Sequence, residues 1–164
     1  MIAKGDTRSM ILDTINQNPG LHFRELQRKS GMATGQLEYH LYQLEKENVI
    51  VKKKDGKMLR YFSNVSGTSM ERSIVFYLRN RITREIILTC LAGKGTAPAK
   101  YAEKWLRSAS FREEIERLID EGIIVKSKDG VSLTDRQGIL DVLAKYRVSF
   151  LDSMASALIS LLGP

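Results

Sequence analysis

The residues of this chain best suited to chemistry crowd into the stretch between Arg24 and Arg60. Thr34, Gly35 and Gln36 open a helical run, where backbone N–H groups without helical partners and the helix dipole favour a phosphate. Gln36, Tyr39, His40 and Gln43 fall on the side away from Leu37, Leu41 and Leu44, which recur at four and three residues and so share one face. Glutamine can pair with the N6/N7 edge of adenine, and tyrosine can reach a phosphate or pack on a thymine methyl. Lys52, Lys53, Lys54, Lys57 and Arg60 follow in a basic hairpin suited to phosphates or a minor groove. Arg24, Arg28 and Lys29 precede it and could hold flanking backbone. Strand alternation puts neighbours on opposite sides, so the hairpin cations cannot all face one ligand. Taken singly, a polar helix face or a run of lysines is an ordinary solvated surface. Their succession is what points to double-stranded DNA. His40, next to Leu41, reads also as a hydrogen-bonded packing histidine at the edge of the core.

Other chemistry finds little support. No His, Cys or carboxylate cluster has metal-ligand spacing, no glycine loop is built to cradle phosphates, and no serine or cysteine nucleophile has a plausible base. The residues imply no cofactor and no catalysis. The 164 residues carry a net charge of +7 and a pI of about 9.6, compatible with a polyanionic partner. Hydrophobic content of 43% and charged content of 27% argue for a folded chain. The single cysteine, Cys90, sits in the apolar run Ile86, Ile87, Leu88 and Leu91 and reads as a buried structural thiol in a reducing compartment. The first ten residues lack the apolar core of a signal peptide, and no apolar run approaches the ~20 residues that cross a bilayer. These features predict a cytoplasmic protein with no membrane partner.

The elements that must position these residues can be read in order. Asp6 or Thr7 can cap a first helix to about Asn18, with Met10, Ile11 and Ile15 inward and Asn18-Pro19-Gly20 ending it. Leu21-His22-Phe23 reads as a short strand, Arg24–Ser30 as the second helix, Gly31 as a sharp turn and Thr34–Glu47 as the third helix. Strands Val49–Lys54 and Met58–Ser63 join at Asp55-Gly56, which suits a type I′ turn. Helix, turn, helix and hairpin is the order of a winged helix-turn-helix.

The polar, breaker-rich Ser63–Ser69 marks a boundary. Beyond it, a connecting helix from near Met70 carries Val75, Leu78, Ile82, Ile86 and Leu91, with a break expected near Asn80-Arg81 and Thr83 as cap of the second piece. A short helix from Pro98 to Trp105, another from Ser110 to Glu121, and strands Ile123–Lys126 and Val131–Leu133 follow. This is an internal repeat: Glu47-Asn48-Val49-Ile50-Val51-Lys52 matches Glu121-Gly122-Ile123-Ile124-Val125-Lys126, and the same offset sets Phe111, Ile115 and Leu118 over Leu37, Leu41 and Leu44. In place of Gln36, Tyr39, His40 and Gln43 the copy has Ser110, Glu113, Glu114 and Arg117, with Glu116, Asp120 and Glu121 nearby. Carboxylates repel phosphates, so the copy is expected to serve as spacer, oligomerisation or protein-contact module. Arg72, Arg79, Arg81 and Arg84 could still touch the backbone. Thr134-Asp135 caps a last helix, about Arg136 to Leu162, whose apolar seam includes Leu143, Tyr146, Phe150, Leu151, Met154, Leu158 and Leu161 and predicts a homodimer interface. The fold class expected is α+β, mainly helical with small hairpins: a DNA-binding domain at 1–66, a degenerate second winged helix at 67–134, and a dimerisation helix at 135–164.

NPGLHFREL, GQLEYHLYQLEKENVI, the basic DGKMLRYF hairpin and the late YRVSFLDSM resemble the archaeal predicted transcriptional regulators with two tandem winged helix-turn-helix domains. The N-terminal half is similar to the wider ArsR/MarR-like winged-helix superfamily. The resemblance implies that the helix from Thr34 carries recognition, with Gln36, Tyr39 and Gln43 at the matching positions. Metal sensing does not carry over, because the cysteine and histidine ligands of such relatives are absent. The expectation is a dimeric regulator reading a pseudo-palindromic duplex. A sequence-tolerant chromatin-type binder and a protein–protein adaptor are the alternatives.

Overall fold

The computed structural model describes residues 4–128 and 130–152, in an α+β, winged-helix-like fold. Two compact units divide the chain: residues 4–72 with 146–152 form one, and 73–145 the other. Among the described residues, no helix is long and apolar enough to cross a membrane.

The first unit opens with α1 (Lys4–Gln17). This helix already contains Asp6 and Thr7, so neither caps it, and it closes one residue before Asn18, whose amide still donates to Thr14. Pro19 and Gly20 then turn the chain, and β1 (Leu21–His22) pairs antiparallel with β3 (Met58–Ser63). α2 spans Phe23–Ser30, α3 Thr34–Lys46 and β2 Ile50–Asp55, giving a sheet in the order β1-β3-β2. Ile11, Ile15, Leu26, Leu37, Leu41, Leu44 and Ile50 meet in one core, with Phe23 and Tyr61 packed against it. Each fully buried aliphatic side chain there contributes roughly 1.5–3 kcal/mol.

The turn between α2 and α3 is set by local chemistry. Gly31 takes φ +68 and donates its amide to Gln27, an αL cap that an L side chain rarely adopts. The Gln27 amide group then donates to Thr34 Oγ1 at 2.9 Å and to the Met32 carbonyl at 3.3 Å, tying the end of α2 to the start of α3. At the front of α2, Glu25 accepts from the His22 amide at 3.0 Å. The hairpin departs from expectation. Asp55 pairs with Met58, so the two-residue loop is Gly56-Lys57, and only Gly56 has positive φ. Glycine at the first position alone is the type II′ pattern, not type I′.

The second unit runs on from α4 (Ser69–Arg79), which begins in the first, into α5 (Arg81–Ala92), α6 (Ala99–Leu106), α7 (Ala109–Asp120), β4 (Ile124–Ser127), β5 (Gly130–Leu133) and α8 (Arg136–Lys145). The α4/α5 break falls where expected, but Asn80 is the cap, accepting from the amides of Ile82 and Thr83; Thr83 is instead buried and donates to the Tyr77 carbonyl. Thr96 bridges to Ser132, so the order helix, bridge, helix, helix, hairpin repeats that of the first unit. The repeat's best-matched segment has a conformational cause. Asn48 (φ +58) and Gly122 (φ +73) both end a helix in the left-handed region, and the next amide in each case, Val49 or Ile123, reaches back to Leu44 or Leu118. Asparagine and glycine are the residues that take this conformation most readily. The core here is Ile86, Ile87, Cys90, Trp105, Ile115, Leu118 and Val131, with Trp105 stacked on Phe111.

The single long final helix is not observed. α8 stops at Lys145, Tyr146 makes a turn, and helix resumes over 147–152 as the chain re-enters the first unit. At this turn, where the sequence shows neither proline nor glycine, the Tyr146 hydroxyl donates to the Glu71 carboxylate at 2.5 Å.

Candidate nucleic-acid interface

The interface is built on α3. Leu37, Leu41 and Leu44 are buried to 3% exposure or less, so the opposite side of the helix must face outward. Thr34, Gly35 and Gln36 are exposed in its first turn, where Ala33 at the cap position offers no side-chain acceptor to the free amides. Tyr39 is 60% exposed. Gln43 is half-buried on one flank. His40 lies deeper, with its ring edge-on to Tyr39, and its Nδ1 is buried with no hydrogen-bond partner among the described residues. It sits at the edge of the core against Tyr39, and the hydrogen bond expected of a packing histidine is not made at that atom.

The structure adds residues passed over in the sequence. Tyr42 is 59% exposed, three positions beyond Tyr39, and Lys46 is exposed one turn further on. That spacing is visible in the sequence. Glu38 and Glu45 occupy the other flank of α3, and across from them stands the wing. Between them lies an open groove of about 780 Å³, lined by Phe23, Arg24, Glu38, Tyr42, Lys52 and Tyr61, among others. Carboxylates on a helix next to a lysine-rich hairpin attract no attention when only phosphate binders are sought.

The wing's cations separate by strand face. Lys52 and Lys54 alternate with Lys53 along β2, and their cross-strand partners are Tyr61 and Leu59. Lys52 reaches α3 in a 2.9 Å ion pair with Glu45, which holds its ammonium above the ordinary lysine value. Burial first, then the carboxylates of Glu45 and Glu38 acting against Lys52, hold the Tyr61 phenol above its ordinary value. Lys54 is exposed beside the tip, and Lys57 is exposed in the turn itself. Lys53 is half-buried. Arg24 and Arg28 on α2 are exposed, and Lys29 is paired with Asp152 at 2.6 Å.

Arg60 is a correction. It is only 6% exposed, its Nε donates to Asp55 at 2.7 Å, and a terminal guanidinium N–H donates to the Gly20 carbonyl at 2.9 Å. Strand alternation turns it inward, so it braces the hairpin against the α1–β1 corner and does not line a DNA-facing surface. The expected dimer residues are corrected in part. Phe150 is 8% exposed and Tyr146 is committed to Glu71, so neither lies on a free apolar face. Leu143 is half-buried in α8, while Leu151 is 63% exposed and Val148 74%. Met154, Leu158 and Leu161 lie outside the described residues.

In the second unit the outer stripe of α7 is acidic. Glu113, Glu116 and Asp120 are exposed at the positions that match Tyr39, Tyr42 and Lys46, and Lys126, the match of Lys52, is paired with Glu116 at 2.6 Å. Arg79 is buried, and Arg84 bonds the Leu78 carbonyl at 3.4 Å. Cys90 is fully buried, and burial pushes its thiol up to about 11. Among the described residues, no group of three or more His, Cys, Asp or Glu is placed to hold a metal ion.

Residues 5–75 match the family described as HTH_HVO_0163_N, N-terminal HTH domain, which takes in α1 through both wing strands and part of α4. The chain is also similar to a protein of Methanocaldococcus jannaschii described as the uncharacterized HTH-type transcriptional regulator MJ1398. The two are 30% identical over 125 residues, 76% of this chain and 32% of that protein. The chain thus spans about a third of that relative's length.

Proposed function

We propose that the chain is a DNA-binding transcriptional regulator that reads duplex DNA through α3 and grips the backbone with the wing. The observation that carries this reading is the outward face of α3. Gln36, Tyr39 and Tyr42 project from a helix whose other side is sealed in the core, with exposed Lys54 and Lys57 on the adjoining wing. A major groove admits one helix with hydrogen-bonding side chains, and flanking cations exchange counterions for phosphates. The match of residues 5–75 to an HTH domain supports the same assignment.

The second unit is a tandem winged helix that has lost this role: three carboxylates on the outer stripe of α7 would face phosphates. Two copies of the chain pair through the C-terminal segment, where exposed Val148 and Leu151 lie one turn apart. Two α3 helices then enter major grooves about one helical turn, or a multiple of it, apart on a pseudo-palindrome.

A competition titration tests the proposal. The full chain should prefer a selected duplex over bulk genomic DNA by roughly a thousandfold or more at physiological salt. Equal retention of both duplexes would reduce it to a sequence-tolerant binder. No retention of either, together with intact function after the wing lysines are neutralised, would favour a protein adaptor.

A further inference from the structure

The recognition helix carries a carboxylate where a DNA-binding surface can least tolerate one. Glu38 is exposed on the flank of α3 that faces the wing and lines the groove between them. Its neighbour Glu45 is neutralised by Lys52 at 2.9 Å. Glu38 has no hydrogen bond or ion pair among the described residues. Glu38 and the half-buried Tyr61 phenol line the same groove, so the carboxylate bears on the space between helix and wing.

An unpaired carboxylate beside phosphates is repelled, and one brought against a base acceptor such as guanine O6/N7 loses hydration for nothing. It gains only opposite a donor. The cytosine N4 amino group is a major-groove donor with no acceptor beside it on the same base, and carboxylates pair with it. Adenine offers its N6 donor next to the N7 acceptor, which suits an amide better than a carboxylate. Glu38 is the fifth residue of α3, within the N-terminal part of a recognition helix that reaches base edges. We infer that Glu38 is a specificity-determining residue that accepts from cytosine N4 and so requires a C·G pair at one position of each half-site. The inference rests on the DNA-binding reading above and adds a base identity to it.

Selection from a randomised duplex pool with the full chain tests it, comparing the wild type with Glu38→Gln and with the wing control Lys54→Ala. The wild type should recover sites with one fixed C·G pair, and replacing that pair should weaken binding roughly 5- to 150-fold. Glu38→Gln should lose that preference or move it to A·T, since an amide pairs with adenine, while the other positions stay unchanged. Lys54→Ala should weaken all sites alike. Identical base preferences in wild type and Glu38→Gln, with the variant uniformly tighter, would overturn the inference and leave Glu38 as a charge that merely opposes phosphate. A wild type that binds duplex with no base preference would overturn it while DNA binding stands. A wild type that retains no duplex at all would remove both.

Discussion

At the scale of single residues, what a cation does is decided by which way its strand turns it. Arg60 and Lys54 lie six positions apart in one hairpin, yet one is sealed against Asp55 and Gly20 and the other stands in solvent. Removing the Arg60 guanidinium takes a charged donor from the partly buried Asp55 carboxylate and from the Gly20 carbonyl, so Arg60→Met should cost about 3 kcal/mol in urea unfolding. Lys54→Ala should leave stability within about 0.5 kcal/mol and instead reduce the salt slope of DNA binding by about one. The composition of the hairpin was legible in the sequence. The inward turn of Arg60 was not, because the register of β3 is fixed by its pairing with β1 and β2, and a one-residue shift would exchange the faces. Cys90 gives a second residue-level expectation. Its thiol is raised from 9.0 to about 11 by burial, so the folded state holds that proton more tightly than the unfolded chain. The stability this contributes is full below pH 9 and is lost as pH rises toward about 11 and beyond. Denaturant midpoints across that window should fall, and less steeply in Cys90→Ala.

At the scale of elements, the signals that proved legible were those with a local cause. The seam Leu37, Leu41 and Leu44 defined α3 because a helix buries one stripe, and all three are in the core. The duplicated Asn48 and Gly122 segment marked two helix ends because few residues take positive φ. Elements set by distant contacts were misread. The apolar run after Arg136 looks like one helix, and it is interrupted at Tyr146, whose hydroxyl bonds Glu71, far away in sequence. The acidic flank of α3 was passed over because its meaning depends on the wing that lies across the groove. The αL caps can be tested directly. Gly31→Ala has no neighbour within 4 Å to clash with, so its cost is the backbone penalty alone, about 1–2 kcal/mol in thermal or urea unfolding. Asn48→Gly should be neutral or slightly stabilising by the same measurement, since Gly122 fills the equivalent place.

At the scale of the whole chain, one helix stripe is written twice with different chemistry: two tyrosines and a lysine outward on α3, three carboxylates at the matching positions of α7. This difference is the basis for the proposal that the first unit meets DNA and the second serves as spacer or partner contact. If the exposed pair Val148 and Leu151 is part of the surface that joins two copies, then Leu151→Asp should shift the sedimentation of the chain from dimer to monomer and weaken binding to a two-half-site duplex far more than to a single half-site. The account stands most directly on a binding titration of the full chain against a fluorescent duplex over a series of salt concentrations, beside a variant with Tyr39 and Tyr42 both changed to alanine. The expected result is saturable binding whose affinity falls steeply with salt, and a variant that keeps the salt slope but has a much weaker preference for selected sites. Binding that is undiminished in site preference when both tyrosines are removed would contradict it.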